Sequence, residues 1–290
     1  MNTYRDQTFE RIENLFDIEL FANTKVLVAG CGSGGSSVAL QLVMSGIRNF
    51  ILLDNDTIAP QNVIRHICGR SFINWKKVDA VAEVLKDRNP NVITTKIDAD
   101  LLNYPYLESV VRDSDVVVLA TDNEPSRYAV NDLCVQSGTP FVVGRVFTRG
   151  IGGEVFAYRP NSGGCLACLE ASLQRTQFRE GIREIDLVSE EEREKVYGME
   201  ITEIKDSPGL IVDISFITAF HTRFVLDCIA RGLHEKPKYF IPINENYLIW
   251  GNRPVHPFTK HFQLQRIQLD SQEQCTVCSG KAAADVQVKA

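Results

Sequence analysis

The chain has 290 residues, of which 44% are hydrophobic and 23% are charged, so it holds enough apolar material for a large core. Its net charge of −6 argues against the basic surface typical of nucleic-acid-binding proteins, and we expect no nucleic-acid partner. Residues 1–16 lack the apolar core of a signal peptide, and the most apolar segment, residues 209–233, is interrupted by Asp213, Arg223 and Asp227. We therefore expect a cytoplasmic protein with no membrane partner.

The first predicted element is an amphipathic helix over residues 4–21, where apolar side chains recur at helical spacing. Strand and helix patterns then alternate as far as about residue 148. This rhythm predicts a doubly wound α/β fold, with a Rossmann-like, mostly parallel sheet covered by helices on both faces. The predicted strands cover residues 25–29, 50–54, 91–97, 115–120 and 140–144, and the predicted helices cover residues 35–45, 75–88, 106–112 and 125–137.

The rhythm changes in the second half of the chain, where further strand patterns predict an antiparallel extension of the sheet. A highly charged segment, residues 174–206, is either an exposed helix or a mobile loop. A long buried helix starts near Gly209, and residues 281–290 resemble an unpacked tail. The strand patterns of this half cover residues 152–160, 238–252 and 258–269.

A glycine-rich loop lies between the first predicted strand and the following helix. Gly30, Gly32 and Gly35 satisfy G-x-G-x-x-G, in which glycines let the backbone approach phosphate and the helix N-terminus attracts the anion. Asp54 ends the next strand, where an acid can accept hydrogen bonds from ribose hydroxyls. The alternative is that the glycines only permit a tight turn. The loop alone does not separate NAD from ATP.

Charged and amide side chains follow several predicted strands close to this loop. Because the carboxyl ends of parallel strands line the ligand crevice of an open α/β sheet, we expect them to converge there. The two bridging phosphates of a dinucleotide need no such cluster, whereas a triphosphate needs cationic side chains and a carboxylate that holds Mg²⁺. The pattern therefore favours ATP. The residues are Asp54, Asp56, Asn62, Arg65, Lys77, Asp122 and Asn123.

With these motifs the chain resembles the ThiF/MoeB superfamily of adenylyltransferases, the adenylation module of ubiquitin-activating enzymes, and looks most like bacterial members linked to ubiquitin-like proteins and JAB-type isopeptidases. The family loop G-x-G-G-x-G-S reads Gly30 to Ser36 here, with Ser33 in its fourth position. In the family's N-x-N-R segment Ile64 replaces the second asparagine, so we expect one polar contact to the triphosphate to be missing. The other matches are Asp54 and Asp56 for D-x-D, Asn62 and Arg65 for N-x-N-R, Lys77 for a helix lysine, and Thr121, Asp122 and Asn123 for T-D-N.

The resemblance implies a reaction in which the C-terminal carboxylate of a small protein attacks the α-phosphate of ATP. Pyrophosphate leaves and an acyl-adenylate forms, through an in-line displacement catalysed by positioning and charge stabilisation. The resemblance implies that Asp54 holds the ribose, that Arg65 and Lys77 hold the β- and γ-phosphates, and that Asp122 holds Mg²⁺. The remaining implied nucleotide contacts are Gly30, Gly32, Gly34, Gly35, Ser36, Asp56, Asn62 and Asn123.

The family also uses an N-terminal arginine from a partner subunit, which implies a homodimer. The expected arginine position here holds Asp6, and Arg5 is the nearest substitute. Arg11 lies less than two helical turns further on. The alternative is that both arginines are solvated helix charges.

Two C-x-x-C pairs, Cys165 with Cys168 and Cys275 with Cys278, supply four thiolates for a structural zinc ion. Their separation is longer than in a zinc finger, and the family often carries a Cys₄ zinc site at these two places. The alternatives are two unrelated pairs or a redox dithiol. The remaining four cysteines are predicted to be packed small hydrophobic residues.

Many relatives transfer the activated carboxyl group to a cysteine in the crossover region, but residues 169–227 contain none. The adenylate then passes to another protein's nucleophile, or to Cys68 or Cys228, or a hydroxyl substitutes. The candidate hydroxyl is Ser207, just before the long helix, where the helix N-terminus would stabilise an oxygen anion. The alternative is that Ser207 is the N-cap of that helix, with Pro208 at its first position.

We therefore expect an ATP-, Mg²⁺- and Zn²⁺-dependent adenylyltransferase that activates a ubiquitin-like protein with a C-terminal glycine. A ubiquitin-conjugating-enzyme-like protein is a candidate partner. The alternatives are a sulfur-carrier protein of cofactor biosynthesis as substrate, an NAD(P)-dependent oxidoreductase, or an inactive scaffold. We expect residues 1–168 to form an N-terminal helix and the ATP-binding domain. Residues 169–280 would add the crossover, long helix and zinc-stapled strands, followed by a disordered tail over residues 281–290.

Overall fold

The computed structural model describes residues 8–12, 17–147, 150–175, 209–238 and 240–279. Within them one sheet of eight strands is flanked by helices on both faces. The strands are β1 Lys25–Ala29, β2 Asn49–Leu53, β3 Ile93–Ile97, β4 Val116–Leu119, β5 Phe141–Val146, β6 Gly152–Tyr158, β7 Tyr247–Gly251 and β8 Gln263–Ile267. The α-helices are α1 Ile18–Phe21, α2 Ser33–Met44, α3 Lys77–Arg88, α4 Leu107–Arg112, α5 Glu124–Ser137, α6 Leu166–Arg175 and α7 Ile211–Gly232.

The strand order is β3-β2-β1-β4-β5-β6-β7-β8. The first five strands of that order are parallel, and β6, β7 and β8 continue the sheet in antiparallel pairing. The predicted α/β fold with a mostly parallel sheet and an antiparallel extension is confirmed. Strands β2 and β3 lie on one side of β1, and β4 and β5 lie on the other. The loops after β1, β2 and β4 therefore meet at the same edge of the sheet.

The core lies in two layers because the central strands are apolar on both sides. Along β1, Val26 and Val28 pack into the layer covered by α2, α3 and α7, whereas Leu27 and Ala29 pack into the layer covered by α4, α5 and α6. All four side chains are fully buried, as the alternation of a strand between two helical layers requires.

The N-terminal helix predicted over residues 4–21 is wrong in the part that the structure describes. Residues 8–12 form a turn, and the helix covers only Ile18–Phe21. Asp17, immediately before this helix, has ψ of 82°, outside the helical range. Apolar spacing alone did not reveal this interruption.

Three features of the second half also differ from the sequence patterns. Strand β7 is five residues long, and residues 240–246 before it are irregular. Helix α6 was not predicted, since it begins inside the first C-x-x-C pair. Helix α7 begins at Ile211 with Leu210 in the N-cap position, so the interpretation of Ser207 as its N-cap is wrong. Within the described ranges, no helix combines the length and apolar character needed to cross a membrane.

Candidate active site

The glycine loop is shaped by one close contact between the start of α2 and the ends of β1 and β4. Gly30 has φ of +94°, and a methyl group there would lie 2.8 Å from the carbonyl oxygen of Ala120. A methyl group on Gly35 would overlap the carbonyl oxygen of Gly30. Both glycines are therefore required by the packing of this chain itself.

The packing of the chain does not require glycine at the other two positions of the loop, Gly32 and Gly34. A methyl group on Gly32 or Gly34 would meet no atom within 4 Å, and neither residue has a positive φ. In the described part of the chain, the N–H groups of Ser33, Gly34 and Gly35 donate no hydrogen bond, and Gly32 provides no side-chain cap. Open space beside free N–H groups at a helix N-terminus fits a phosphate group.

Asp54 connects this loop to the next strand end. One carboxylate oxygen accepts the N–H of Cys31 at 2.7 Å, and the other accepts the N–H of Asp56 at 2.8 Å. Each oxygen retains a second lone pair for a ligand hydroxyl. Lys77 Nζ lies 3.9 Å from Asp54 and 2.6 Å from Asp56, so the structure brings these three predicted residues together.

The segment after Asp56 forms a turn. The side-chain oxygen of Asn62 accepts the N–H of Ala59 at 2.8 Å and so stabilises this turn. Ile64, at the position where the family has asparagine, is 79% exposed. Arg65 is half-buried and immediately precedes His66, which anchors the segment to the glycine loop.

His66 received no role from the sequence, yet it is the residue that connects this turn to the loop. Its Nδ1 accepts the N–H of Cys68 at 3.1 Å, so Nε2 carries the proton and donates to the carbonyl of Cys31 at 2.8 Å. Burial lowers the pKa of His66, which keeps the ring neutral and the bond pattern fixed. In the sequence, His66 is distinguished only by its position directly after Arg65 of the N-x-N-R segment.

The loop after β4 carries the predicted Mg²⁺ ligand. Asn123 is the N-cap of α5, and its side-chain oxygen accepts the N–H of Ser126 at 2.9 Å. Asp122 is exposed and, among the described residues, makes no hydrogen bond or ion pair. This loop adjoins the glycine loop, because the backbone of Ala120 and Thr121 packs against Gly30.

The four cysteines of the two C-x-x-C pairs form one cluster. Cys165 lies 3.7 Å from Cys275 and Cys168 lies 3.5 Å from Cys278, sulfur to sulfur, with all four atoms within 4.8 Å. Thiolates about 2.3 Å from a tetrahedral ion lie roughly 3.8 Å apart, so the spacing fits zinc. Hydrogen bonding from the Cys165 thiol lowers the pKa of Cys168, which favours a thiolate there.

The remaining four cysteines are buried, as predicted. Burial raises the pKa of Cys68 to about 12 and that of Cys228 to about 11, which disfavours the nucleophilic thiolate. Burial also raises the pKa of Cys31 and Cys134. Neither Cys68 nor Cys228 therefore suits acceptance of an activated carboxyl group.

Two candidate residues lie outside the described part of the chain. These are Arg5, expected to reach across a dimer, and Ser207, the candidate hydroxyl nucleophile. The charged segment, residues 174–206, is also outside it except for the end of α6. Arg11 is exposed in the turn over residues 8–12. The roles of Arg5 and Ser207 stay predictions.

The chain is similar to known proteins in sequence and in fold. A model of the ThiF family matches residues 8–257. The chain belongs to the ThiF family. One relative, the adenylyltransferase and sulfurtransferase MOCS3 of Arabidopsis thaliana, is 34% identical over 149 residues, which is 50% of this chain and 31% of that protein. The SAMP-activating enzyme E1 of Haloferax volcanii is 30% identical over 149 residues, 51% of this chain and 53% of that protein.

This ThiF-family chain therefore matches only about a third to a half of the length of these curated relatives. Among solved structures, it is similar to E. coli MccB, determined with ATP, with a TM-score of 0.67. The match covers 90% of this chain and 68% of MccB at 20% identity. At that identity the likeness concerns the fold alone.

Gly34→Ala and Gly35→Ala test the two classes of loop glycine. We expect Gly35→Ala to lower the free energy of unfolding by about 1–3 kcal/mol or more, because its methyl group has no space. Gly34→Ala should raise it by up to about 1 kcal/mol through helix propensity. The methyl group of Gly34→Ala should also weaken ATP binding at least about tenfold if a phosphate group occupies the open space beside the free N–H groups. Thermal unfolding and titration calorimetry with ATP measure the two effects.

The matched control is Gly232→Ala, a helical glycine that also faces open space. It should change stability as Gly34→Ala does and leave ATP binding unchanged. Native-like ATP affinity of Gly34→Ala would show that the open space is not a phosphate site.

Proposed function

We propose that this chain is an ATP-dependent adenylyltransferase that activates the C-terminal carboxylate of a small protein. The observation that carries the proposal is the open, unbonded start of α2, with Lys77 and Asp54 on one side and the exposed Asp122 on the other. This set of groups matches the charge of a triphosphate and its cation. Family membership and the named activity of MOCS3 support the same reaction class.

In the proposed reaction, a carboxylate oxygen of the small protein forms a bond to the α-phosphorus of ATP. The bond from that phosphorus to its bridging oxygen breaks, and its electron pair leaves with pyrophosphate. The N–H groups of α2 bind phosphate oxygens, and Lys77 and Arg65 offset charge on the leaving group. Asp54 orients the ribose. Mg²⁺ bound at Asp122 would neutralise further triphosphate charge.

The substrate belongs, in this proposal, to the ubiquitin-like or sulfur-carrier class and ends in glycine. The name of MOCS3 includes a sulfurtransferase activity, and the relative from Haloferax volcanii is named a SAMP-activating enzyme E1. An NAD(P)-dependent oxidoreductase is the second candidate, since the loop also satisfies the dinucleotide pattern. The lysine and two carboxylates beside the loop favour ATP over it, because a dinucleotide needs no such cluster.

Lys77→Met and Asp122→Asn test the adenylation step. We expect each to lower the rate of ATP–pyrophosphate exchange by about 100-fold or more, because each removes a charged contact to the triphosphate or its cation. The assay contains ATP, Mg²⁺ and candidate small proteins that end in glycine. No exchange and no AMP with any of them, together with NAD bound in the crevice, would support an oxidoreductase instead.

Lys76→Met is the matched control for Lys77→Met. Lys76 precedes Lys77 in the chain, but its Nζ contacts Asp98 at 3.0 Å and the carbonyl of Asn55 at 3.2 Å. Both contacts are exposed, so the exchange rate should stay within about twofold of the native value. An equal loss of exchange rate in both variants would mean that the rate depends on the total positive charge near the loop. It would contradict a specific contact between Lys77 and the triphosphate.

The onward step is proposed to use no cysteine of this chain. Either the adenylate passes to a ubiquitin-conjugating-enzyme-like partner, or Ser207 accepts the carboxyl group as an oxyester. We predict an adduct that resists thiols and is absent in Ser207→Ala, detected by mass spectrometry after incubation with ATP. Ser215→Ala, which removes another hydroxyl near the start of α7, is the control and should retain the adduct. An adduct cleaved by thiols would exclude the serine.

The Cys₄ cluster is proposed to hold a structural zinc ion. Elemental analysis should find about one zinc per chain, and Cys278→Ser should reduce the content and lower the thermal unfolding midpoint. Cys68→Ala, at a buried cysteine outside the cluster, is the control and should keep the metal. A metal-free protein whose Cys165 and Cys168 form a reversible disulfide would instead support a redox dithiol.

A further inference from the structure

Arg127, in the first turns of α5, is a buried arginine that the sequence did not single out. Its Nε and Nη2 donate to the carbonyl of Thr121 at 3.1 and 2.8 Å. Its Nη1 donates to Glu124 at 2.6 Å. The side chains of Arg127 and Glu124 are 5% and 8% exposed, so the guanidinium fork is fixed within the protein interior.

The fork is anchored through a chain of buried charges. Glu124 also pairs with Arg145 of β5 at 3.5 Å, and Arg145 pairs with Glu170 of α6 at 2.7 Å and with Glu154 of β6 at 3.2 Å. Glu170 lies two residues after Cys168 on α6, the helix that starts at the residue after Cys165. Through Glu124 and Arg145, Arg127 is thus connected to β5, β6 and α6.

This anchoring acts on the residue before Asp122. The hydroxyl of Thr121 is buried and has no hydrogen-bond partner in the described structure, so it does not hold the loop. The Thr121 carbonyl is held by Arg127, and Asn123 is held by its cap bond to Ser126. The backbone of Asp122 is therefore fixed on both sides, while its own carboxylate remains exposed and unpaired.

We propose that Arg127 is a positioning residue for Asp122, and that Glu124, Arg145 and Glu170 hold Arg127 in place. The proposal rests on the proposed function, in which Asp122 binds the divalent cation of the nucleotide. Its physical basis is that a ligand carboxylate on a short loop binds an ion well only when its backbone is fixed.

The test uses Mn²⁺ as a spectroscopic probe in place of Mg²⁺. Electron paramagnetic resonance measures its binding to the protein together with a non-hydrolysable ATP analogue. Residues that orient a metal ligand typically contribute about 10–100-fold to metal affinity, so we expect Arg127→Met to weaken Mn²⁺ binding at least about tenfold. Arg127→Lys keeps the buried charge but supplies one donor group, and should give an intermediate loss.

The matched control is Arg159→Met, which removes another buried arginine. Arg159 pairs with Asp227 at 2.8 Å on the opposite helical layer. It should lower stability as Arg127→Met does and leave Mn²⁺ binding within about twofold of native. Equal weakening by both variants would show that Arg127 acts only through general stability, and would overturn the proposal.

A double-mutant cycle with Asp122→Asn identifies the route of the effect. If Arg127 acts through Asp122, adding Arg127→Met to Asp122→Asn should weaken Mn²⁺ binding by less than about twofold further, because coupled residues are not additive. Full additivity would overturn the positioning role.

Hydrogen exchange of the Ala120 and Ser126 amides, which donate to the carbonyl of Ala29 and to the side-chain oxygen of Asn123 on either side of Asp122, gives a readout that needs neither nucleotide nor activity. These amides should exchange faster in Arg127→Met, Arg127→Lys and Glu170→Gln than in the native protein or in Arg159→Met. Unchanged exchange would contradict the proposal even if the enzyme is active. If the amides exchange faster in the variants but the native protein shows no ATP–pyrophosphate exchange, the proposed function is refuted. The anchoring of the loop by Arg127 would still stand.

Discussion

The candidate active site depends on one contact, the close approach of the start of α2 to the ends of β1 and β4. Carbonyl oxygens occupy the space where side chains of Gly30 and Gly35 would stand. This contact places the free N–H groups of α2 over the strand ends. The neighbouring segments are then attached to the same loop through Cys31, whose N–H binds Asp54 and whose carbonyl binds His66. Displacing the loop would therefore move the residues from both segments together.

The buried charges behind Asp122 require a reason other than stability. Removing a charged group from water costs several kcal/mol, and well-packed apolar side chains often replace a buried ion network without loss. Apolar packing would thus hold α5 and α6 together at a lower desolvation cost than this ion network. The network consists of Glu124, Arg127, Arg145 and Glu170. Its directional bonds do provide what apolar packing lacks, a fixed orientation for a single backbone carbonyl.

Sequence patterns predicted the parts of this structure that depend on local periodicity and on motif spacing. They predicted the strands of the parallel sheet, the proximity of Asp54 and Lys77, and the Cys₄ cluster. These features depend on local residue patterns or on two matching C-x-x-C motifs. His66 and Arg127 were not found because their partners are backbone carbonyls, which leave no trace in residue type.

The errors have a related physical origin. The predicted helix over residues 4–21 ignored backbone geometry at Asp17, and the predicted cap at Ser207 relied on a serine–proline pair, although the helix begins at Ile211. Serine at the N-cap and proline at the first helical position both favour the start of a helix in general. Where a helix begins is nevertheless set by the packing of its apolar face, which a local pattern does not contain.

The resting position of Lys77 fits the arrival of a triphosphate. Lys77 contacts Asp56, whose side chain is 63% exposed, and approaches Asp54, whose side chain is 10% exposed. An ion pair with an exposed partner contributes only about 0–1 kcal/mol, so a phosphate can displace Asp56 at little cost. Asp54 stays in place because two backbone N–H groups hold it. The exposed carboxylate thus keeps the lysine oriented before binding, and the buried one keeps it beside the loop afterwards.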